Sequence, residues 1–344
     1  MEINDILIKS VSQDASDIHF TVGRPPSIRH VGDLKPLDGF SELNCDDTQA
    51  LAFSMISDEQ KKEFLDTREL DFSYAIEGCA RFRVNLYWQK DLVGIAVRVI
   101  PYTIPDAEDI GLSDAIKNLT KLKNGLVLVT GPTGSGKSTT LAALVNKINK
   151  EDPKHILTIE DPVEFVYNHE KAMINQREIG NDTPSFASAL KHALREDPDV
   201  ILVGEMRDLE TIAATLEIAE TGHLAFATLH TMDVAQTIDR IVDVFPPHQQ
   251  SQIRMTLSVV IKGIICQKLL PNVDGTGRVA AREILISDFA VANMIREGQT
   301  PQIYSKIQTG GALGMCTMDR SIDDLLAAGL ITNETAQLHK TSTI

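Results

Sequence analysis

The stretch GPTGSGKST (131–139) limits the possible folds more tightly than anything else in the chain. It fits the pattern G-x-x-x-x-G-K-[ST] and lies between an apolar run, GLVLVT (125–130), and a segment with helical character at 137–149. Strand, glycine-rich turn and helix in that order form a phosphate-binding loop. Gly131, Gly134 and Gly136, with Pro132, Thr133 and Ser135 between them, allow backbone N–H groups to turn inward onto phosphate oxygens. The N-terminus of the following helix adds a favourable partial charge. In such a loop Lys137 reaches the β- and γ-phosphates, the Ser138 hydroxyl enters the Mg²⁺ shell, and Thr139 completes the motif, with ATP as substrate.

Strands and helices alternate after the loop. HILTIED (155–161), VILVGE (200–205) and LAFATLH (224–230) read as strands, SFASALKHALRED (185–197) and about 208–221 as helices. Four apolar strands separated by helices predict a parallel sheet covered on both faces. Beyond about 233 the pattern is mostly helical, with one strand at 279–286. Before the loop, a helix at 3–11 leads into strands at 15–23, 71–78, 80–88 and 92–101, a hairpin turning at Gly32-Asp33, and acid-capped helices at 46–57 and 58–66. The expected layout is a small α+β domain over 1–100, a linker at 101–115 containing Pro101 and Pro105, an ATPase core over 116–270 and a mostly helical subdomain over 271–344.

Several other residues fit phosphate chemistry. VILVGE was expected to lie beside the loop strand and end at Glu205, which either polarises the attacking water or is a solvated strand-end acid. Glu160, Asp161 and Glu164 in IEDPVE cluster at another strand end, as metal or water ligands or as a capped loop. His230 ends its strand where the phosphate-facing edge should be, whereas His223 precedes that strand and suits a packing role. Arg81 and Arg83 share one strand face, with Arg98 on the next strand. The trio completes a site in trans or balances local acid as surface ion pairs.

The charge excludes some partners. Thirty-three Lys and Arg against 48 Asp and Glu give −15, and aromatic residues are only 5%, which argues against a nucleic-acid translocase. No apolar stretch reaches the ~18 residues that cross a bilayer, so no membrane insertion is expected. The acidic N-terminus MEINDILIKS does not resemble a signal peptide, and Cys45, Cys79, Cys266 and Cys316 are too far apart for paired zinc ligands. Both features point to the cytoplasm.

In order, the loop, IEDPVE, ILVGEMRD (201–208) and TGHLAFATLHT (221–231) resemble the secretion ATPase superfamily of type II secretion and type IV pilus motors. ASDIHF, PPSIR, ARFRVN, INQRE, VDVFP and IQTGGALGMCTMD extend the resemblance over nearly the whole length and place it in the pilus-retraction branch. Extension ATPases add an N-terminal domain and a tetracysteine insertion, neither of which this sequence carries.

The resemblance implies a PAS-like α+β N-terminal domain, then a RecA-like P-loop ATPase domain with a helical C-terminal part. It implies a homo-hexamer that hydrolyses ATP with Mg²⁺, at the cytoplasmic side of the inner membrane. Its implied partners are the pilus platform protein and a paralogous retraction or extension ATPase. Arg81, Arg83 and Arg98 then help complete the nucleotide site. An accessory retraction ATPase with conditional turnover is the alternative, and a nucleotide-dependent regulator a further one. The branch's retraction motif appears as AVANMIRE (290–297), keeping Asn293, Ile295, Arg296 and Glu297 but placing Ala292 where an arginine is usual. Helical spacing alone reads Val291, Met294 and Ile295 as a packing face.

Overall fold

Apolar Phe82, Val84 and Leu86 alternate with polar Arg81, Arg83 and Asn85, and the result is one long strand, Ala80–Gln89, buried on one side only. The computed structural model describes residues 2–30, 32–100 and 103–340. Pro101 of the expected linker lies outside the described residues. The chain divides into two units, one made of residues up to 103 with 164–166, the other of 104–163 with the remainder after 166.

The first unit contains α1 (Ile3–Val11), β1 (Asp17–Phe20), β2 (Ser27–His30), β3 (Asp33–Pro36), α2 (Cys45–Phe53), α3 (Asp58–Thr67), β4 (Glu69–Ile76), β5 (Ala80–Gln89) and β6 (Leu92–Ile100). Its six strands form one antiparallel sheet in the order β3-β2-β1-β6-β5-β4. Both predicted acid-capped helices form, each with a capping box: Asn44 with Asp47, and Ser57 with Gln60. Ile6, Leu7, Phe20, Phe64, Phe82 and Ile95 fill the core.

The second unit contains α4 (Asp114–Asn118), β7 (Gly125–Thr130), α5 (Lys137–Glu151), β8 (His155–Glu160), β9 (Met173–Glu178), α6 (Phe186–Ala193), β10 (Val200–Val203), α7 (Leu209–Glu220) and β11 (Leu224–Leu229). It continues with α8 (Val234–Asp243), α9 (Pro247–Val260), β12 (Ile261–Pro271), β13 (Arg278–Ile286), α10 (Phe289–Arg296), α11 (Ile303–Thr309), α12 (Met318–Ala327) and α13 (Asn333–His339). Seven strands run β13-β12-β7-β11-β10-β8-β9, all parallel except the β12–β13 pair. Every residue of β7, β10 and β11 is buried, as expected of strands covered on both faces.

Four expectations are corrected. First, β10 does not neighbour the loop strand, because β11 lies between β7 and β10. Second, residues 261–271 form a strand rather than continuing the helical region. SVVIKGIIC is a short apolar run whose periodicity does not separate strand from helix, and α9 passes into β12 with no turn residue to mark the change. Third, INQRE belongs to an additional edge strand, β9, whose polar composition hides it. The helix expected over 185–197 also stops at Ala193, before Asp197 in a left-handed conformation.

Candidate nucleotide-binding site

Parallel register brings the C-terminal ends of β7, β11, β10 and β8 to one edge of the sheet. Thr130 lies opposite Leu229, and Val203 lies between Ala227 and Ile159. Ligands of open α/β sheets bind at that edge. The loop 131–136 leaves β7 there and enters α5 at Lys137.

The loop is built against β12. A Cβ on Gly131 would meet the Gln267 carbonyl oxygen at 2.3 Å and Ser135 Oγ at 2.7 Å, and Gly131 has φ +142°. A Cβ on Gly136 would meet Gln267 Nε2 at 2.8 Å. Only glycine lets the backbone take this path. The Lys137 ammonium donates to the carbonyls of Gly131 (2.8 Å) and Pro132 (3.1 Å), which holds it beneath the loop. Ser135 Oγ is buried without a hydrogen-bond partner among the described residues, and Thr133 and Gly134 are exposed. A glycine cradle, a buried hydroxyl awaiting a partner and a lysine at the helix start suit the phosphates of a nucleotide. Ser138 is half-buried in the first turn of α5, where its hydroxyl would fit as one ligand of a cation. Gly131→Ala should abolish measurable ADP binding in a calorimetric titration and lower thermal stability by about 1–3 kcal/mol, the usual cost of one strained backbone position.

Glu205 follows β10 on the same edge. Its Oε2 lies 2.7 Å from Arg207 Nη2 and its Oε1 3.0 Å from His230 Nε2. The inserted β11 brings His230 within reach of Glu205, so the correction to strand order explains the pair. Partial burial pushes the Glu205 carboxyl up, but the hydrogen bond from Arg207 and the nearby His230 and Arg207 charges outweigh it. The carboxyl is held below its ordinary value. Arg207 stands in ILVGEMRD two residues from Glu205, and that spacing is the sequence signal for the pair. Removing Arg207 removes that stabilisation of the carboxylate. Arg207→Ala should therefore move the acid limb of the kcat/KM–pH profile to higher pH, because a base lost on protonation is lost earlier as pH falls.

The other expected residues divide. Gly204 lets β10 close on β8: its Cβ would sit 3.2 Å from Glu160 Cα, so Glu160 lies beside the edge. The Glu160 carboxylate is buried and accepts from Thr158 Oγ1 (2.7 Å) and Gln176 Nε2 (3.4 Å). Asp161 is exposed; the hydrogen bond to and charge of Glu205 hold the Arg207 guanidinium above its ordinary value, and the Asp161 charge adds to them. Among the described residues no group of three or more His, Cys, Asp or Glu side chains is placed to hold a metal ion. Glu164 falls in the 164–166 stretch that belongs to the first unit.

The structure does not bring His223 to the site. It precedes β11 at the opposite end of the strand, where its Nδ1 lies 3.2 Å from the Ile218 carbonyl and 3.3 Å from Thr221 Oγ1. In the first unit Arg83 and Arg98 face each other across β5 and β6, a like-charge pairing relieved by Asp71 (4.0 Å) and Asp17 (3.0 Å). Arg81 shares their sheet face two residues from Arg83. In α10 Val291 and Ile295 are core and Met294 packs against it, while Asn293, Arg296 and Glu297 are exposed.

Strand order, loop and acidic edge together define a P-loop nucleotide-binding protein. Residues 78–318 match the family model described as "Type II/IV secretion system protein", and the chain belongs to that family. It is 49% identical over 337 residues, 98% of this chain and 97% of the relative, to the Pseudomonas aeruginosa protein named "Type IV pilus retractation ATPase PilT". It is 38% identical over 342 residues, 99% and 89% of the two chains, to that organism's "Type IV pilus ATPase PilU". A solved structure described as the pilus retraction motor PilT with bound ADP superposes with TM-score 0.94 at 47% identity, covering 100% of this chain and 98% of that one. Among the described residues no helix is long and apolar enough to cross a membrane.

Proposed function

We propose that the chain is the motor ATPase of type IV pilus retraction, acting as a ring of six copies at the cytoplasmic side of the inner membrane. The observation that carries this reading is the Glu205 carboxylate on the same sheet edge as the loop, in a chain that aligns end to end with a retraction ATPase. Backbone N–H groups of 131–136 and the Lys137 ammonium bind the β- and γ-phosphates. Ser138 would offer its hydroxyl to Mg²⁺, which when bound would supply charge neutralisation at the phosphates. Glu205 accepts a proton from the attacking water, and His230, hydrogen-bonded to one of its oxygens, holds the carboxylate in position. Glu160 and Asp161 orient water at the neighbouring strand end, and in the assembled ring Glu164 is a further candidate for that role and the arginines Arg81, Arg83 and Arg98 for stabilising phosphate charge. The exposed Asn293 and Arg296 of α10, with Glu297 just after it, transmit force.

ATP and ADP differ by a phosphoryl group that several elements contact at once, so binding and hydrolysis bias each subunit between open and closed arrangements. Closure passing round the ring drives the platform protein and withdraws pilin subunits from the fibre. Complementation tests this reading. Expressed in a piliated strain lacking its own retraction ATPases, the chain should restore twitching, and the Glu205→Gln chain should not. Rescue confined to strains with a second intact retraction ATPase would assign the accessory role instead.

A further inference from the structure

Gln267 and Arg282 face each other as directly paired residues of β12 and β13, and both side chains are buried, at 2% and 7% exposure. Gln267 Nε2 donates to the Ser135 carbonyl of the phosphate loop at 2.6 Å. Its Oε1 accepts from Thr140 Oγ1 of α5 at 2.8 Å and from Arg282 Nε at 2.9 Å. The guanidinium spends its other donors on two carbonyls far back in the chain, Ile110 (Nη2, 2.9 Å) and Gly111 (Nη1, 3.2 Å). Two side chains thus form a continuous polar connection from the loop to the turn at 110–111.

Nothing in the sheet requires this connection. A strand buried on both faces is satisfied by apolar side chains, and a buried guanidinium carries a desolvation cost that only well-placed acceptors offset. Burial pushes Arg282 down to about 10, so the group stays charged at neutral pH. The turn borders a cavity of about 420 Å³, lined by Gly111, Ser113, Arg282, Cys316 and Arg320 among others. Arg282 therefore holds the turn and also lines the free space beside it. Residues 104–112 are also the stretch through which the chain enters the second unit.

We propose that Gln267 and Arg282 are positioning residues that couple the nucleotide state of the phosphate loop to the turn at Ile110–Gly111. The inference rests on the nucleotide-binding reading above. When the loop closes on phosphate, the Ser135 carbonyl carries the Gln267 amide with it, and the Arg282 fork transfers the movement to the turn. The fork geometry matters because a lysine keeps the charge but cannot hold Gln267 and two carbonyls at once.

The test is amide hydrogen exchange on the full chain with and without Mg²⁺ and ADP, read over residues 104–112. The turn bonds Gly111 N–H to the Glu108 carbonyl and Leu112 N–H to the Ala107 carbonyl are direct reporters. In wild type, ADP should change exchange there at least about fivefold, the lower end of usual site–site coupling. Arg282→Lys should bind ADP normally and lose that response, with kcat falling while KM holds. Gln267→Met breaks the connection at its other partner. The double variant should turn over no more slowly than the worse single one, because both cut the same link.

A wild-type chain that binds ADP with exchange at 104–112 unmoved would overturn the coupling alone. So would variants that melt earlier yet keep the full ADP response, or kcat losses that multiply in the double variant. A wild-type chain that does not bind ADP would overturn the nucleotide reading and the coupling with it.

Discussion

Glu205→Gln should leave ATP affinity close to wild type and reduce steady-state turnover by about 10²–10⁴, the usual contribution of a positioned general base. Glutamine keeps the size of the side chain and one acceptor oxygen, so the strand end and the contact with His230 survive. It removes the carboxylate proposed to take the proton from water. It also removes the negative partner of Arg207, now 2.7 Å away. That pair is solvent-facing on the arginine side, so its loss has little effect on folding. Binding measured with a slowly hydrolysed analogue and turnover measured with ATP separate the two effects. Turnover at the wild-type rate would remove Glu205 from the chemistry.

Lys137→Ala should act on both binding and chemistry. Its ammonium is buried beneath the loop on the Gly131 and Pro132 carbonyls, and it is the one cation in the motif that can meet the β- and γ-phosphates. A hydrogen bond to a charged group is worth about 1.5–3 kcal/mol, so nucleotide affinity should weaken by roughly 10- to 150-fold. Turnover should fall further, because the lysine also meets charge that grows in the transition state. The change leaves the two carbonyls without their donor, so thermal stability measured without nucleotide should fall slightly as well. ADP titration and a melt on the same samples check both parts. Affinity within a factor of two of wild type would contradict the phosphate role.

The loop was legible because its residues are dictated by backbone chemistry. Gly131 and Gly136 are glycine because a Cβ has no room there, and a requirement of that kind appears directly in sequence. The alternating face of β5 and the unbroken apolar runs of β7 and β11 were legible for a similar reason: burial on one or two faces imposes its own pattern. Strand order was not. β11 separates β7 from β10 through long-range pairing, which no local pattern encodes, and this placed His230 beside Glu205.

β12 was hidden because an eleven-residue strand following a helix without punctuation carries no boundary signal. Gln267 and Arg282 were missed with it, since a buried polar pair is recognised only once the residues that face it are known. His223 shows the reverse case: it stands as near to β11 in sequence as His230 does, but at the wrong end of the strand. In AVANMIRE, helical spacing separated the packed Val291, Met294 and Ile295 from the exposed remainder, and α10 follows that division.

The most direct test of the central claim is Mg²⁺-dependent ATP turnover per subunit across a protein dilution series, with Glu205→Gln as control and the size of the particle followed in parallel. A ring motor predicts specific activity that falls as the ring dissociates and is lost in the variant at every concentration. Absence of turnover in a wild-type sample that sizes as a hexamer would contradict the account, as would full activity in a sample that sizes as a monomer.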